Sequence, residues 1–283
     1  MLNVKLAIEH ELKIHKNKKI IVPLSSGMDS NSILFSCYEL GLNAVAVSFR
    51  MDTHESRDFK VAKNNAKALG IPFEEIILDS NVEAIKGDVV KLVRTLKCRK
   101  KTEIECTRPM YHLYKLASEI GGDIIISGLG AEYNYLESKK AVMYYKHRPD
   151  EYREMMFEKV KRKECMQIIQ HEIMCKHFGI EHTMPYLSDT MFREFRGTPW
   201  EASMKGVVKR PVKEGYAHIL SMEGIRVYSP QGYQVGDSGI AKSFEQLLDS
   251  DWNLRECTHI TAVYNDIIKG NLDDEMDKYP SNL

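Results

Sequence analysis

Ile20-Ile21-Val22-Pro23-Leu24-Ser25-Ser26-Gly27-Met28-Asp29-Ser30 is the stretch from which the fold can be read. Its first half is a short apolar run with β-branched residues, the pattern of a strand buried on both faces. Its second half is a cluster of small residues that opens into a helix beginning near Asn31. A strand, a tight turn and a helix N-terminus together leave backbone N–H groups unpaired at the positive end of a helix dipole. That combination is a cradle for phosphate or pyrophosphate. Ser25, Ser26 and Ser30 add hydroxyl donors. Asp29 repels phosphate directly, but its carboxylate suits a Mg²⁺ ion that bridges phosphates. An ordinary capped turn uses the same residue types, so the stretch needs support from the rest of the chain.

Working outward, residues 44–49, 73–78 and 123–127 are further apolar runs, the last two preceded by Gly70-Ile71-Pro72 and Gly121-Gly122. Between them the period changes to that of a helix. Phe59, Ala62, Ala66 and Leu69 fall on one stripe, and Val82, Ile85, Val89, Leu92 and Leu96 on another. Pro109 stands where a helix would begin, ahead of Leu113, Leu116, Ala117 and Ile120. Strands alternating with helices predict an α/β fold, a parallel twisted sheet with helices on both faces, built from right-handed crossovers. Ligands bind outside the carboxyl ends of such strands, so the loops after Leu24, Phe49 and Ser127 are the first candidates. Beyond Tyr133 the texture changes: residues 139–163 are strongly charged and the later apolar stripes are helical. A soft boundary near residue 138 therefore divides residues 1–138 from a helix-rich part, residues 139–283.

The 283 residues include 40 Lys or Arg against 40 Asp or Glu, with 43% apolar and 9% aromatic, a composition that excludes disordered and collagen-like chains. A net charge of zero exerts no global pull on nucleic acid or acidic membranes. No run of about 18 apolar residues predicts a membrane span, and residues 1–19 lack the apolar core of a signal peptide. The cysteines at 37, 98, 106, 165, 175 and 257 include no C-x-x-C pair. They fit reduced thiols in a cytoplasmic protein better than a disulfide framework or a structural zinc site. Two basic runs, Lys91 to Lys101 and Lys159 to Lys163, read first as solvated helix faces and second as phosphate-backbone contacts. His171 and Cys175 lie one helical turn apart, with His182 following. Packing in a helix is the simpler account of them than metal ligation. Residues 229–237 are rich in turn formers and read as a surface loop or a lid.

Ser25-Ser26-Gly27-Met28-Asp29-Ser30 resembles the S-G-G-x-D-S motif of the PP-loop ATP pyrophosphatase superfamily, with Ser26 in place of the first glycine. If that position needed positive φ, the serine would cost about 1 kcal/mol. Four more pieces resemble, in order, the synthetase domain of asparagine synthetase and β-lactam synthetase. They are Ala46-Val47-Ser48-Phe49 with Asp58; Thr107-Arg108-Pro109-Met110-Tyr111 followed by residues 124–133; Glu181-His182-Thr183-Met184-Pro185-Tyr186-Leu187; and Lys209-Arg210-Pro211-Val212-Lys213-Glu214. The resemblance implies an adenine nucleotide alpha hydrolase-like sheet in residues 1–138, with the helix-rich part contributing substrate-site residues. It implies ATP and Mg²⁺: Ser25, Ser26, Gly27, Asp29 and Ser30 at the phosphates; Leu24, Val47, Ser127 and Gly128 around adenosine, with Asp58 nearby. Asp29 and Glu132 would carry the metal, and Lys209 would stabilise charge at the α-phosphate. The implied reaction adenylates a carboxylate, releases pyrophosphate, and passes the acyl group to ammonia or an amine.

This chain departs from the family at telling places. Leu129 replaces a glutamate that handles substrate in asparagine synthetases, and leucine transfers no proton. Thr183 replaces an arginine, Ser188 an aspartate, and Glu132-Tyr133 an Asp-Glu pair. These changes predict a retained adenylating core with different carboxylate and acceptor pockets, so free aspartate is not the expected substrate. Residue 2 is Leu2, not the cysteine nucleophile of a glutaminase, and 283 residues leave no room for that domain. Nitrogen would then come from free ammonia, a separate ammonia-supplying subunit or the amine acceptor. The alternative is a PP-loop enzyme that modifies a nucleobase or base-attached group in tRNA or DNA, which rests on the basic runs and on the altered substrate positions.

Overall fold

A computed structural model of the chain describes residues 3–228 and 237–283. Leu2 and nearly all of the turn-rich stretch 229–237 lie outside the described residues. Five strands form one all-parallel sheet in the order β3-β2-β1-β4-β5: β1 Ile20–Pro23, β2 Ala44–Met51, β3 Phe73–Leu78, β4 Ile124–Ile126 and β5 Glu181–Thr183. The first four occupy the apolar runs. The fifth is short and polar, and it comes from beyond residue 138.

Side chains alternate across the pleat, so β1, β2 and β4 each supply two cores. Ile20, Val22, Ala44, Ala46, Ile124 and Ile126 face one way, onto a layer that includes α1 (Val4–Lys13), α2 (Met28–Glu39) and α3 (Arg57–Ala68). Ile21, Val45, Val47 and Ile125 face the other way, onto α4 (Val82–Arg94), α5 (Lys101–Glu119) and, further along the chain, residues 240–276. The chain leaves β1 toward β2 and β3, then crosses back to β4 and β5. The switch point of this open sheet therefore lies between β1 and β4, where a ligand crevice belongs.

Helix α5 begins eight residues ahead of Pro109, not at it. Proline in a helix interior removes one i to i−4 bond, but packing on both sides outweighs that loss. Ile104 and Arg108 are buried, and the Arg108 guanidinium meets Asp88 at 2.8 Å and the Asp79 carbonyl at 2.6 Å.

After β4 come α6 (Ala131–Tyr135), α7 (Lys139–Tyr145), α8 (Pro149–Lys161) and α9 (Met166–Phe178), then α10 (Asp189–Phe195), α11 (Trp200–Met204) and α12 (Arg210–Gly215). Both basic runs end largely in local acidic partners: Arg94 with Asp277 at 2.7 Å, Lys161 with Asp189 at 3.3 Å, Lys163 with Glu172 at 3.0 Å. Among the described residues no helix is long and apolar enough to cross a membrane.

Candidate active site

The Leu24–Ser30 turn is held from inside. Ser25 Oγ accepts from the Gly27 N–H at 3.1 Å and lies 3.0 Å from Ser30 Oγ, which in turn accepts from the Ser25 N–H. Asn31 Nδ2 donates to the Ser25 and Gly27 carbonyls, and Asn65 Nδ2 fixes Asn31 Oδ1 at 2.8 Å. Gly27 caps α2 through backbone alone, so the helix N-terminus has no side-chain cap. Ser26 is not among the residues with positive φ, and the strain considered for it does not arise. Its hydroxyl donates to Asp58 Oδ1.

Gly128 lies directly against this turn. A Cβ there would come 2.6 Å from the Asp29 carbonyl carbon, so only glycine permits the approach. Its neighbour Gly130, at φ 90°, starts α6 and would drive a Cβ into Leu187 at 2.2 Å.

A cavity of about 390 Å³ opens at the carboxyl ends of the strands. Ten of the expected residues line it: Leu24, Ser25, Gly27, Asp29 and Ser30 from the first loop; Val47 and Asp58 from the β2 side; Ser127, Gly128 and Glu132 from the β4 loop. Ser26 and Lys209 do not. Ser26 packs behind the wall, and Lys209 is held behind Asp29.

Lys209 adopts a left-handed backbone, φ 58°, at the start of α12 and is 3% exposed. Its ammonium lies 2.5 Å from Asp29 Oδ2 and 2.5 Å from Glu137 Oε1. Asp29 Oδ1 is buried without a partner. Burial, opposed by Lys209 and reinforced by Glu137, pushes the Asp29 carboxyl up to about 6. Burial also raises Glu132 to about 7, with Asp29 and Glu137 adding to it, while its Oε2 accepts from the Gly130 N–H at 3.0 Å. This end of the cavity thus gathers three carboxyl groups, two of which hold the Lys209 ammonium between them.

The other end lies under β5, between α5 and α9, and the loop motifs gave no hint of it. Cys106, Met110 and Leu113 come from α5, His171 from α9 and His182 from β5. His182 Nε2 lies 2.8 Å from Ser127 Oγ and its Nδ1 2.9 Å from the Tyr114 hydroxyl. That hydroxyl lies 3.1 Å from His171 Nδ1 and 3.5 Å from Cys175 Sγ. Burial lowers His171 to about 4 and His182 well below its usual value, so both imidazoles are neutral. The one-turn spacing of His171 and Cys175 was the available signal. The partner that joins them, Tyr114, lies more than fifty residues upstream. Among the described residues no group of three or more His, Cys, Asp or Glu is arranged to hold a metal ion by itself.

The family model described as asparagine synthase matches residues 9–135, a span that contains β1 to β4 and the loops carrying Asp29, Ser127 and Glu132. No curated protein matches the chain. Among solved structures, the U34-tRNA thiolase NcsA from Methanococcus maripaludis with its 4Fe-4S cluster aligns at 13% identity and a TM-score of 0.40, over 98% of this chain and 80% of that one. Residues 9–135, just under half of the chain, are therefore similar to the asparagine synthase family.

Proposed function

We propose that the chain is an ATP-dependent, AMP-forming ligase that adenylates a carboxylate and transfers the acyl group to ammonia or an amine. The observation that carries this reading is the unpartnered Asp29 Oδ1, buried beside a helix N-terminus in the loop that the family shares. A buried carboxylate oxygen without a partner is costly. Its natural complement is a cation arriving with the substrate.

Asp29 and Glu132 supply hard oxygen donors, and Mg²⁺ commonly binds through one or two carboxylates with the remaining positions filled by phosphate and water. The donor set fits. When bound, the ion would neutralise charge on the pyrophosphate as it leaves. The N–H groups at the start of α2, with Ser25 and Ser30, bind the β- and γ-phosphates, while Leu24, Val47, Ser127 and Gly128 enclose adenosine near Asp58. Lys209, released from Asp29 and steered by Glu137, turns its ammonium to the α-phosphate, where negative charge develops.

In the first step a carboxylate oxygen bonds to the α-phosphorus, the bridging P–O bond breaks, and its electron pair leaves with pyrophosphate. In the second the amine nitrogen bonds to the acyl carbon, the acyl C–O bond breaks, AMP departs with that pair, and the amine proton passes to water. The boundary near residue 138 remains a soft division in this reading, since Lys209 acts on the first part from the second.

Pairing of the basic runs with nearby acids favours a small-molecule substrate over nucleic acid. An isotope experiment separates the two. With ¹⁸O in the carboxylate substrate, attack at the α-phosphorus transfers label to AMP; label that never enters AMP, with turnover dependent on added tRNA or DNA, would replace this reading with base modification.

A further inference from the structure

Sheet order gives the cavity two sides. Val47 and Asp58 stand on the β2 side of β1, whereas His182 on β5 stands beyond β4, with the His171 ring beside it. A nucleotide enclosed by Leu24, Val47, Ser127 and Gly128 reaches the β4 loop, where Ser127 borders both sides, and leaves the His171 side beyond it free. We infer that this far end is the acyl subsite and that it takes an uncharged acyl group able to donate and accept hydrogen bonds, of the aromatic or heteroaromatic acid class. The inference rests on the adenylation reading above.

Its wall carries no charge. Cys106, Met110, Leu113 and Leu129 are joined there by two neutral imidazoles, and burial pushes the Cys106 thiol up to about 11. A carboxylate or ammonium side chain entering here would lose its hydration and find no counter-charge. A flat neutral ring keeps its dispersion contacts and meets ring edges, since the His171 and His182 centroids lie 4.6 Å apart at 67°.

The hydrogen-bond chain explains how one wall both donates and accepts. The Tyr114 hydroxyl has a single proton for His171 Nδ1 and His182 Nδ1. If it donates to His171, His182 Nδ1–H donates back to Tyr114, His182 Nε2 accepts from Ser127, and His171 carries its proton on Nε2. If it donates to His182, each proton shifts by one bond: His182 Nε2–H donates to Ser127 Oγ, the Ser127 proton is released toward the cavity, and His171 Nε2 becomes an acceptor. Both arrangements are neutral. Each offers one donor and one acceptor, exchanged between Ser127 and His171.

The test uses the full chain with ¹⁵N-labelled histidine, saturated with α,β-methylene ATP, whose α–β bridge cannot be cleaved and which therefore cannot adenylate an acid. Nicotinate, 4-hydroxybenzoate, aspartate and lysine are titrated in while imidazole resonances are followed, and ATP–pyrophosphate exchange is measured in parallel with ATP. Expected is a His171 shift with nicotinate or 4-hydroxybenzoate, absent with the analogue alone, and exchange at least about 10-fold above that with aspartate. His171→Leu should raise the KM for the ring acid about 10-fold with nucleotide Kd unchanged, and His171→Gln should recover part of the loss. The inference is overturned if the nucleotide analogue alone moves His171 as far as the ring acids do, if aspartate or lysine is preferred, or if no acid perturbs the cluster. A ring-acid shift without exchange upholds the subsite and removes the adenylation reading.

Discussion

At one end of the cavity Lys209 sits between Asp29 and Glu137; at the other, the Tyr114 hydroxyl sits between His171 and His182. Both are buried groups bridging two others, but the accounts differ. The lysine end is incomplete: Asp29 Oδ1 has no partner and two carboxyls are pushed up toward neutrality. The tyrosine end is complete within the chain, because every bond in it passes between neutral groups. On the proposed function, the first receives charge and rearranges when it arrives. The second keeps its heavy atoms in place, and only its protons have two arrangements.

Asp29→Asn should break this contrast most sharply. It removes the charge that calls for a cation, so pyrophosphate release should fall by about 10³-fold or more, with the circular dichroism spectrum retained. Gly128→Ala comes next. Its Cβ would stand 2.6 Å from Asp29 backbone, so the two loops must part at a cost of about 1–3 kcal/mol, read as a lower Tm and weaker nucleotide binding. Tyr114→Phe probes the other end. Leaving the two Nδ1 atoms without their shared hydroxyl should cost about 1–3 kcal/mol of stability, with nucleotide Kd unchanged.

The smallest effect is a pH dependence. Asp29 and Glu132 have carboxyls raised to about 6 and about 7 in the fold, above their unfolded values. The folded chain therefore holds more protons than the unfolded chain between about pH 4 and 7, and stability falls as pH rises through that window. Without nucleotide, these two groups should make the chain more stable at pH 5.5 than at 7.5 by on the order of 1 kcal/mol, and Glu132→Gln should flatten the slope in a Tm-against-pH series.

What the sequence revealed follows from how local each signal is. β1, β2 and β4 stand out because strands covered on both faces are nearly continuously apolar, as Ile124, Ile125 and Ile126 are, and edge strand β3 because Phe73, Ile76, Ile77 and Leu78 still mark it. β5 escapes because Glu181-His182-Thr183 is short, polar and at a sheet edge, where packing imposes no such pattern. The start of α5 escapes because Pro109 signals a helix start, and only the burial of Arg108 against Asp88 overrides it. In the site, the cradle is legible because Ser25 to Ser30 are contiguous and bond to one another. The His171–Tyr114–His182 chain is assembled from two helices and an edge strand; the one-turn spacing of His171 and Cys175 marks a shared face, but nothing in the sequence ties it to Tyr114. Lys209 lies between these cases: a resemblance pointed to it, and its position shows a resting ion pair with Asp29 rather than an ammonium open to the cavity.

The central claim is that this chain cleaves ATP between its α- and β-phosphates. Phosphorus NMR of ATP turned over by the full chain with Mg²⁺ and a ring acid tests it directly. Equal amounts of AMP and pyrophosphate, both lost in Asp29→Asn, are the predicted result; ADP and inorganic phosphate as products, or ATP bound with no cleavage under any of the acids, would contradict it.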